Sequence, residues 1–236
     1  MDDFRQLADR LTSAVALRTP AVAIAFLDAP PPGVHRYQGS QPAGCSFWRL
    51  AGAGHVFYTE PAQHANCPIG TYTHRLEEPG SQATELDRTL SFMAGLGYLR
   101  PSEVPSIPRL SRAPGVVVYA PLADTPVAPD VVLLVDAPAR LMLVHEAAGR
   151  AGVAAPLPLL GRPTCMALPA ALANGAVLST GCVGNRVYTD VGEDGMYLAV
   201  PGRDLRALVD ALPGIVRANQ ELAAYHRDRR AALATE

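Results

Sequence analysis

The chain has no lysine: all 20 of its basic residues other than histidine are arginine. This excludes a Schiff-base lysine, a phosphate-loop lysine and a lysine general base. Charge of either sign is also scarce, because 22 acidic residues leave a net charge of −2 and the only basic cluster is Arg227, Arg229 and Arg230 near the C-terminus. A nucleic-acid partner is not expected on that balance. No apolar run reaches the roughly 18 residues of a membrane span, and the acidic opening Met1-Asp2-Asp3-Phe4 is not a signal peptide. Together these absences point to a cytoplasmic protein without a membrane partner. Cysteine is sparse too, with four in 236 residues. In that compartment paired cysteines point to metal or redox chemistry more than to structural disulfides.

The hydrophobic share of 49% is that of an ordinary globular protein. Phe4, Leu7, Leu11 and Val15 recur at helical spacing, so residues 3–17 read as an amphipathic helix. Ala21 to Leu27, Gly115 to Tyr119 and Asp130 to Val135 are continuous apolar runs soon followed by proline, the pattern of buried strands. Helices are expected after Gly44, after Cys67-Pro68, from the Thr84-Glu85-Leu86-Asp87 capping pattern, from Pro138 and from Pro169 to Ala173. Strands are expected at His55 to Thr59, Ala176 to Thr180 and Tyr197 to Val200. The C-terminal helix carries Leu205, Leu208, Val209 and Leu212 on one stripe, and Pro213-Gly214 should kink or break it.

The four cysteines fall into two similar pairs. Each half runs strand, Asp-Ala-Pro, Cys, helix, strand, Cys, with Ala25-Phe26-Leu27-Asp28-Ala29-Pro30 echoed by Leu133-Leu134-Val135-Asp136-Ala137-Pro138. Cys45 and Cys165 each precede a short helix. Cys67 and Cys182 each follow a strand ending in Thr and precede glycine and then a Tyr-Thr pair. The echo suggests an internal duplication, with pseudo-halves of about 1–100 and 115–236 joined by the proline-rich Pro101 to Pro114 connection. The expected fold is a single α/β domain over 1–236, with a mixed or largely parallel sheet covered by helices.

Gly44-Cys45-Ser46-Phe47-Trp48, Asn66-Cys67-Pro68-Ile69-Gly70, Pro129-Asp130-Val131-Val132-Leu133 and Gly181-Cys182-Val183-Gly184-Asn185-Arg186-Val187-Tyr188 together resemble the prokaryotic domain of unknown function 169 family. The resemblance covers nearly the whole chain. It implies a family and no reaction, so function is argued from the residues.

Four thiolates are the usual ligand set of iron–sulfur clusters and structural zinc. The first reading is therefore a cluster or transition metal at the seam between the halves, held by Cys67 and Cys182 with Cys45 and Cys165. Gly70, Gly181 and Gly184 would let backbone amides approach the sulfurs. His64 and His74, flanking Cys67, offer replacement ligands, or else are solvated loop histidines. The second reading is a metal-free thiol enzyme or redox protein, with Cys67 or Cys182 as nucleophile and His55, His64, His74 or His145 as base. The third is a module that binds a small anion through the glycine turns and Arg186. Against all three stands plain packing: Cys45 and Cys165 have apolar neighbours, and Arg186 can pair with Glu193 or Asp194. The apolar stripe of the C-terminal helix also suits a homodimer.

Overall fold

The computed structural model describes residues 3–76 and 81–233, apart from the side chains of residues 81–84. Helix α1 (Phe4–Val15) starts where the Asp3 carboxylate accepts from the Gln6 amide at 3.0 Å and ends at Ala16 in the left-handed conformation. It buries Leu7, Ala8, Leu11 and Val15. The strands are β1 (Val22–Leu27), β2 (Phe57–Thr59), β3 (Val116–Pro121), β4 (Val131–Asp136), β5 (Ala154–Leu160), β6 (Ala176–Ser179) and β7 (Met196–Pro201). The other helices are α2 (Gly44–Gly52), α3 (Pro68–His74), α4 (Ser81–Gly95), α5 (Pro138–Arg150), α6 (Ala167–Asn174), α7 (Val183–Thr189) and α8 (Leu205–Leu233).

The strands form one mixed seven-stranded sheet in the order β2-β3-β1-β4-β7-β6-β5. Only β5 and β6 run parallel. The apolar runs of β1, β3 and β4 therefore reflect burial on both faces and not strand direction, and of the two expected layers, mixed or largely parallel, the sheet is the mixed one. Alternation along each strand splits the core in two. Val22, Ile24, Val131, Leu133, Tyr197 and Ala199 point to the layer built on α2 and α6. Ala23, Val132, Leu134, Leu198 and Val200 point to the layer of α1, α5 and α8.

The pairing pattern is the same on both sides of the β1–β4 contact. Val22 pairs with Leu133, Ala23 with Val132 and Ile24 with Val131. Outward, β1 pairs with β3 as β4 pairs with β7, and β2 joins β3 as β6 joins β7. Even the hydrogen bonds that leave the strands match: Leu122 N–H to the Ala21 carbonyl and Gly202 N–H to the Asp130 carbonyl are both 2.7 Å. Elements equivalent by this pairing thus stand at equivalent places around the sheet centre.

Three boundaries differ from the sequence expectation. Strand β5 contains Pro156 and Pro158, which cannot donate to a ladder; it lies at the sheet edge, where proline is tolerated. Helix α4 begins at Ser81, ahead of the cap expected at Thr84, whose side chain lies outside the described residues. Helix α8 runs through Pro213 without ending. Proline at 213 leaves the Val209 carbonyl without its helical donor, and Arg10 Nη2 donates to that oxygen at 3.4 Å while pairing with Asp210 at 2.8 Å.

Candidate functional site

All four cysteines lie at helix starts on the α2/α6 side of the sheet. Cys45 is in the first turn of α2, and Cys165 is in the 3-10 turn Thr164–Met166 that leads into α6. Cys67 and Cys182 are the N-cap residues of α3 and α7, two seven-residue helices that both end in a left-handed residue, Arg75 and Asp190. The site draws on both halves of the chain, because α2 packs against α7 and α3 against the turn of Cys165. Ser46 Oγ donates to the Tyr188 carbonyl at 3.4 Å, the Cys182 amide donates to Thr164 Oγ1 at 2.6 Å, and His74 Nε2 lies 3.1 Å from the Cys165 carbonyl oxygen.

This packing brings the four thiols together. In each of the six pairs they make, charge on one sulfur raises the pKa of the other. All four are free, and no three His, Cys, Asp or Glu side chains among the described residues are grouped so as to hold a single metal ion.

Burial is the first influence on three of the thiols. It pushes Cys45 up to about 12, against the Asn185 amide, which approaches the sulfur and favours its charged form. Cys165 is raised well above its ordinary value by burial and then by Cys67, with the Thr73 hydroxyl opposing. Cys67 is also raised by burial, but the amides of Gly44 and Gly70 donate to its sulfur and work the other way. Gly70 is required there: a Cβ on it would stand 2.8 Å from Cys67 Sγ. Gly181 is required for another reason, since its φ of +78° is a left-handed conformation and a Cβ would meet Asn185 Oδ1 at 3.1 Å. Gly184 has ordinary room around it, the nearest atom to an added Cβ being Tyr188 Cε2 at 3.7 Å.

The histidines next to Cys67 are core residues and not solvated loop residues. His64 is 2% exposed and His74 1%. Burial lowers them to about 3 and about 4, so both are neutral at pH 7. His64 Nε2 lies 2.8 Å from Thr59 Oγ1, and its ring packs 4.9 Å from Phe47. The other two candidate bases are elsewhere: His55 is exposed, and His145 is on α5, across the sheet.

Arg186 makes structural contacts that the sequence did not foresee. It donates to the carbonyls of Thr180 at 2.6 Å, Gly192 at 2.7 Å and Gly195 at 2.9 Å, tying the Gly181 turn to the 192–195 loop. Asp194, one of its foreseen partners, pairs with Arg18 instead, at 3.2 Å.

Several residues of the site escaped the sequence reading. Asn185 is 2% exposed, and neither of its amide atoms has a hydrogen bond of good geometry. The Tyr119 hydroxyl, Trp48 Nε1 and the Nδ1 atoms of His64 and His74 are likewise buried without a protein partner. Tyr119 is close enough to Cys67 and Cys45, and Tyr197 to Cys45, for the thiols to affect their ionisation. Such orphaned polar atoms are uncommon in a native interior. The one available signal for Asn185 was its position, third after Cys182, where Gly70 stands third after Cys67.

A cleft of about 510 Å³ opens from this region to the surface between the Arg18-Asp136 pair, Trp48 and the loop after α7. Cys45 is in its wall.

A family model matches residues 10–211, which include all four cysteines and every strand. The chain belongs to the DUF169 family. That family is described as "Uncharacterised ArCR". No curated protein and no solved structure shows significant similarity to this DUF169 chain. None of its described helices is long and apolar enough to cross a membrane.

Proposed function

We propose that this DUF169 protein binds an iron–sulfur cluster or transition-metal centre through Cys67, Cys182, Cys45 and Cys165. The observation that carries the reading is that the chain's four cysteines, from four separate segments, lie near enough for each pair to interact electrostatically. Plain packing places cysteines singly and has no need to gather them. The Gly44 and Gly70 amides on Cys67 are the donors a metal-bound thiolate calls for, and the polar atoms without partners line the same layer.

Of a single ion and a cluster, our proposal favours the cluster. A tetrahedral ion with sulfur ligands at about 2.3 Å draws them to about 3.8 Å from one another, and no trio here is grouped for one ion. A cluster holds its ligands around a larger volume. The upward shift of Cys67 weighs against that residue as a metal-free nucleophile, whose thiolate has to be favoured at neutral pH, and Cys45 and Cys165 are raised as well. They suit a ligand set that gives up its protons only to metal.

The test is anaerobic purification, followed by a visible spectrum and analysis of iron and acid-labile sulfide. Brown protein with stoichiometric iron is expected, with most of the iron lost in Cys67→Ala and Cys182→Ala. Colourless protein that also fails to take up iron and sulfide on anaerobic reconstitution would overturn the proposal.

A further inference from the structure

The cleft beside the thiol locus has the features of a ligand site in its own right. Val22, Val135 and Trp48 give its lining apolar surface. Trp48 is 3% exposed, and its indole N–H, which can only donate, has no partner in the protein. Two guanidiniums, Arg18 and Arg49, stand among the lining residues.

The state of those arginines decides the charge of the ligand. Arg49 pairs at 3.2 Å with Asp190, and Arg18 pairs at 3.2 Å with Asp194; the aspartate side chains are 70% and 67% exposed. Exposed pairs of this kind contribute little, and either aspartate returns to water at small cost when displaced. Asp136 is different. Its carboxylate is buried and accepts from the Arg18 and Ala137 amides, from Arg18 Nε and from Arg140, so it is not open to a cationic ligand. An incoming carboxylate can therefore exchange with the rim aspartates, while an incoming cation finds Asp136 saturated with donors and has to compete with Arg18 and Arg49 for Asp194 and Asp190.

We infer that the cleft binds a small organic carboxylate with a flat apolar body, the body lying against Val22, Val135 and Trp48 and the carboxylate meeting the Arg49 guanidinium. The bound molecule would touch the wall that contains Cys45, next to the metal locus proposed above. Binding itself does not require the metal. The inference rests on that proposal only in giving the ligand a reaction partner.

Trp48 is the only tryptophan of the chain, so indole fluorescence reports on this cleft alone. Benzoate is the probe, with benzamide and benzamidinium as its neutral and cationic counterparts. They are titrated into the protein as purified, with iron content measured on the same sample and calorimetry as a second readout. Saturable binding of benzoate is expected, weakened about tenfold or more in Arg49→Gln by loss of one charge-assisted hydrogen bond. Circular dichroism would confirm that this surface variant keeps its fold. Absence of saturable benzoate binding, equal or tighter binding of benzamidinium, or unchanged affinity in Arg49→Gln would each overturn the inference. Iron without benzoate binding would leave the metal proposal standing, and benzoate binding without iron would leave the cleft.

Discussion

Cys45 offers the sharpest quantitative test of the site, because it is reachable from the cleft yet held protonated by its surroundings. Burial places its pKa at about 12. At pH 8 an ordinary thiol with a pKa of about 8.5 is roughly one quarter thiolate, whereas a thiol at about 12 is thiolate in only about one molecule in 10,000. Only the thiolate attacks an alkylating reagent. Cys45 in reduced, metal-free protein should therefore react with iodoacetamide about a thousandfold or more slower than in guanidinium-unfolded chain. Its rate should climb about tenfold per pH unit from pH 8 to pH 10 without levelling. Peptide mapping by mass spectrometry at timed intervals gives the rate for this one cysteine, with the unfolded chain as internal reference. A rate within tenfold of the reference, or a plateau by pH 9 to 10, would refute the assignment of a desolvated neutral thiol.

Two further outcomes test the supports of the site. Gly70→Ala sets a Cβ 2.8 Å from Cys67 Sγ, so the sulfur has to move off the Gly44 and Gly70 amides; about 1–3 kcal/mol of stability should go, with most of the bound iron, as read by denaturant titration and metal analysis. Asp136→Ala removes a buried acceptor shared by Arg18, Ala137 and Arg140 and should cost about 3 kcal/mol. Burial alone would raise the Asp136 pKa, but the hydrogen bonds from the Arg18 and Ala137 amides and the Arg18 guanidinium outweigh it and hold the pKa below its ordinary value. Its contribution is then fully present above about pH 4, the unfolded value, and is lost as pH falls through the lower folded value. The acid limb of a stability-against-pH curve should shrink in Asp136→Ala, and an unchanged limb would contradict this account.

The sequence carried most of the element order, because apolar runs and helix-period stripes report burial directly. Leu7, Leu11 and Val15 were readable as a buried helix face, and the Val-rich runs of β3 and β4 as strands buried on both sides. Direction was not readable from the same runs, since two covered faces look alike in parallel and antiparallel sheets. Strand β5 was hidden because Pro156 and Pro158 signal a loop, and only its edge position makes them harmless. Pro213 promised a kink or a break in α8 and the helix does not break, because the donor that takes over the Val209 carbonyl comes from Arg10, more than 190 residues earlier, and no local pattern contains it.

The candidate site was legible in its cysteines and opaque in their surroundings, for a reason that lies in the sheet. Cys67 and Cys182 are displayed by equivalent helices that follow equivalent strands, β2 and β6, on opposite sides of the β1–β4 contact. Repeat spacing along the chain could suggest that equivalence. What closes the distance between them is cross-packing, α2 on α7 and α3 on the turn of Cys165, so that each half covers the other's cysteine. In the same layer lie Asn185, Tyr119 and Trp48, whose polar atoms are buried without partners. The same contacts make the thiols, the orphaned polar atoms and the cleft depend on one another. A change at Gly70 or Asn185 in one half should therefore register at Cys165 or Cys45 in the other, and alkylation rates measured across the four cysteines in each variant would trace that coupling.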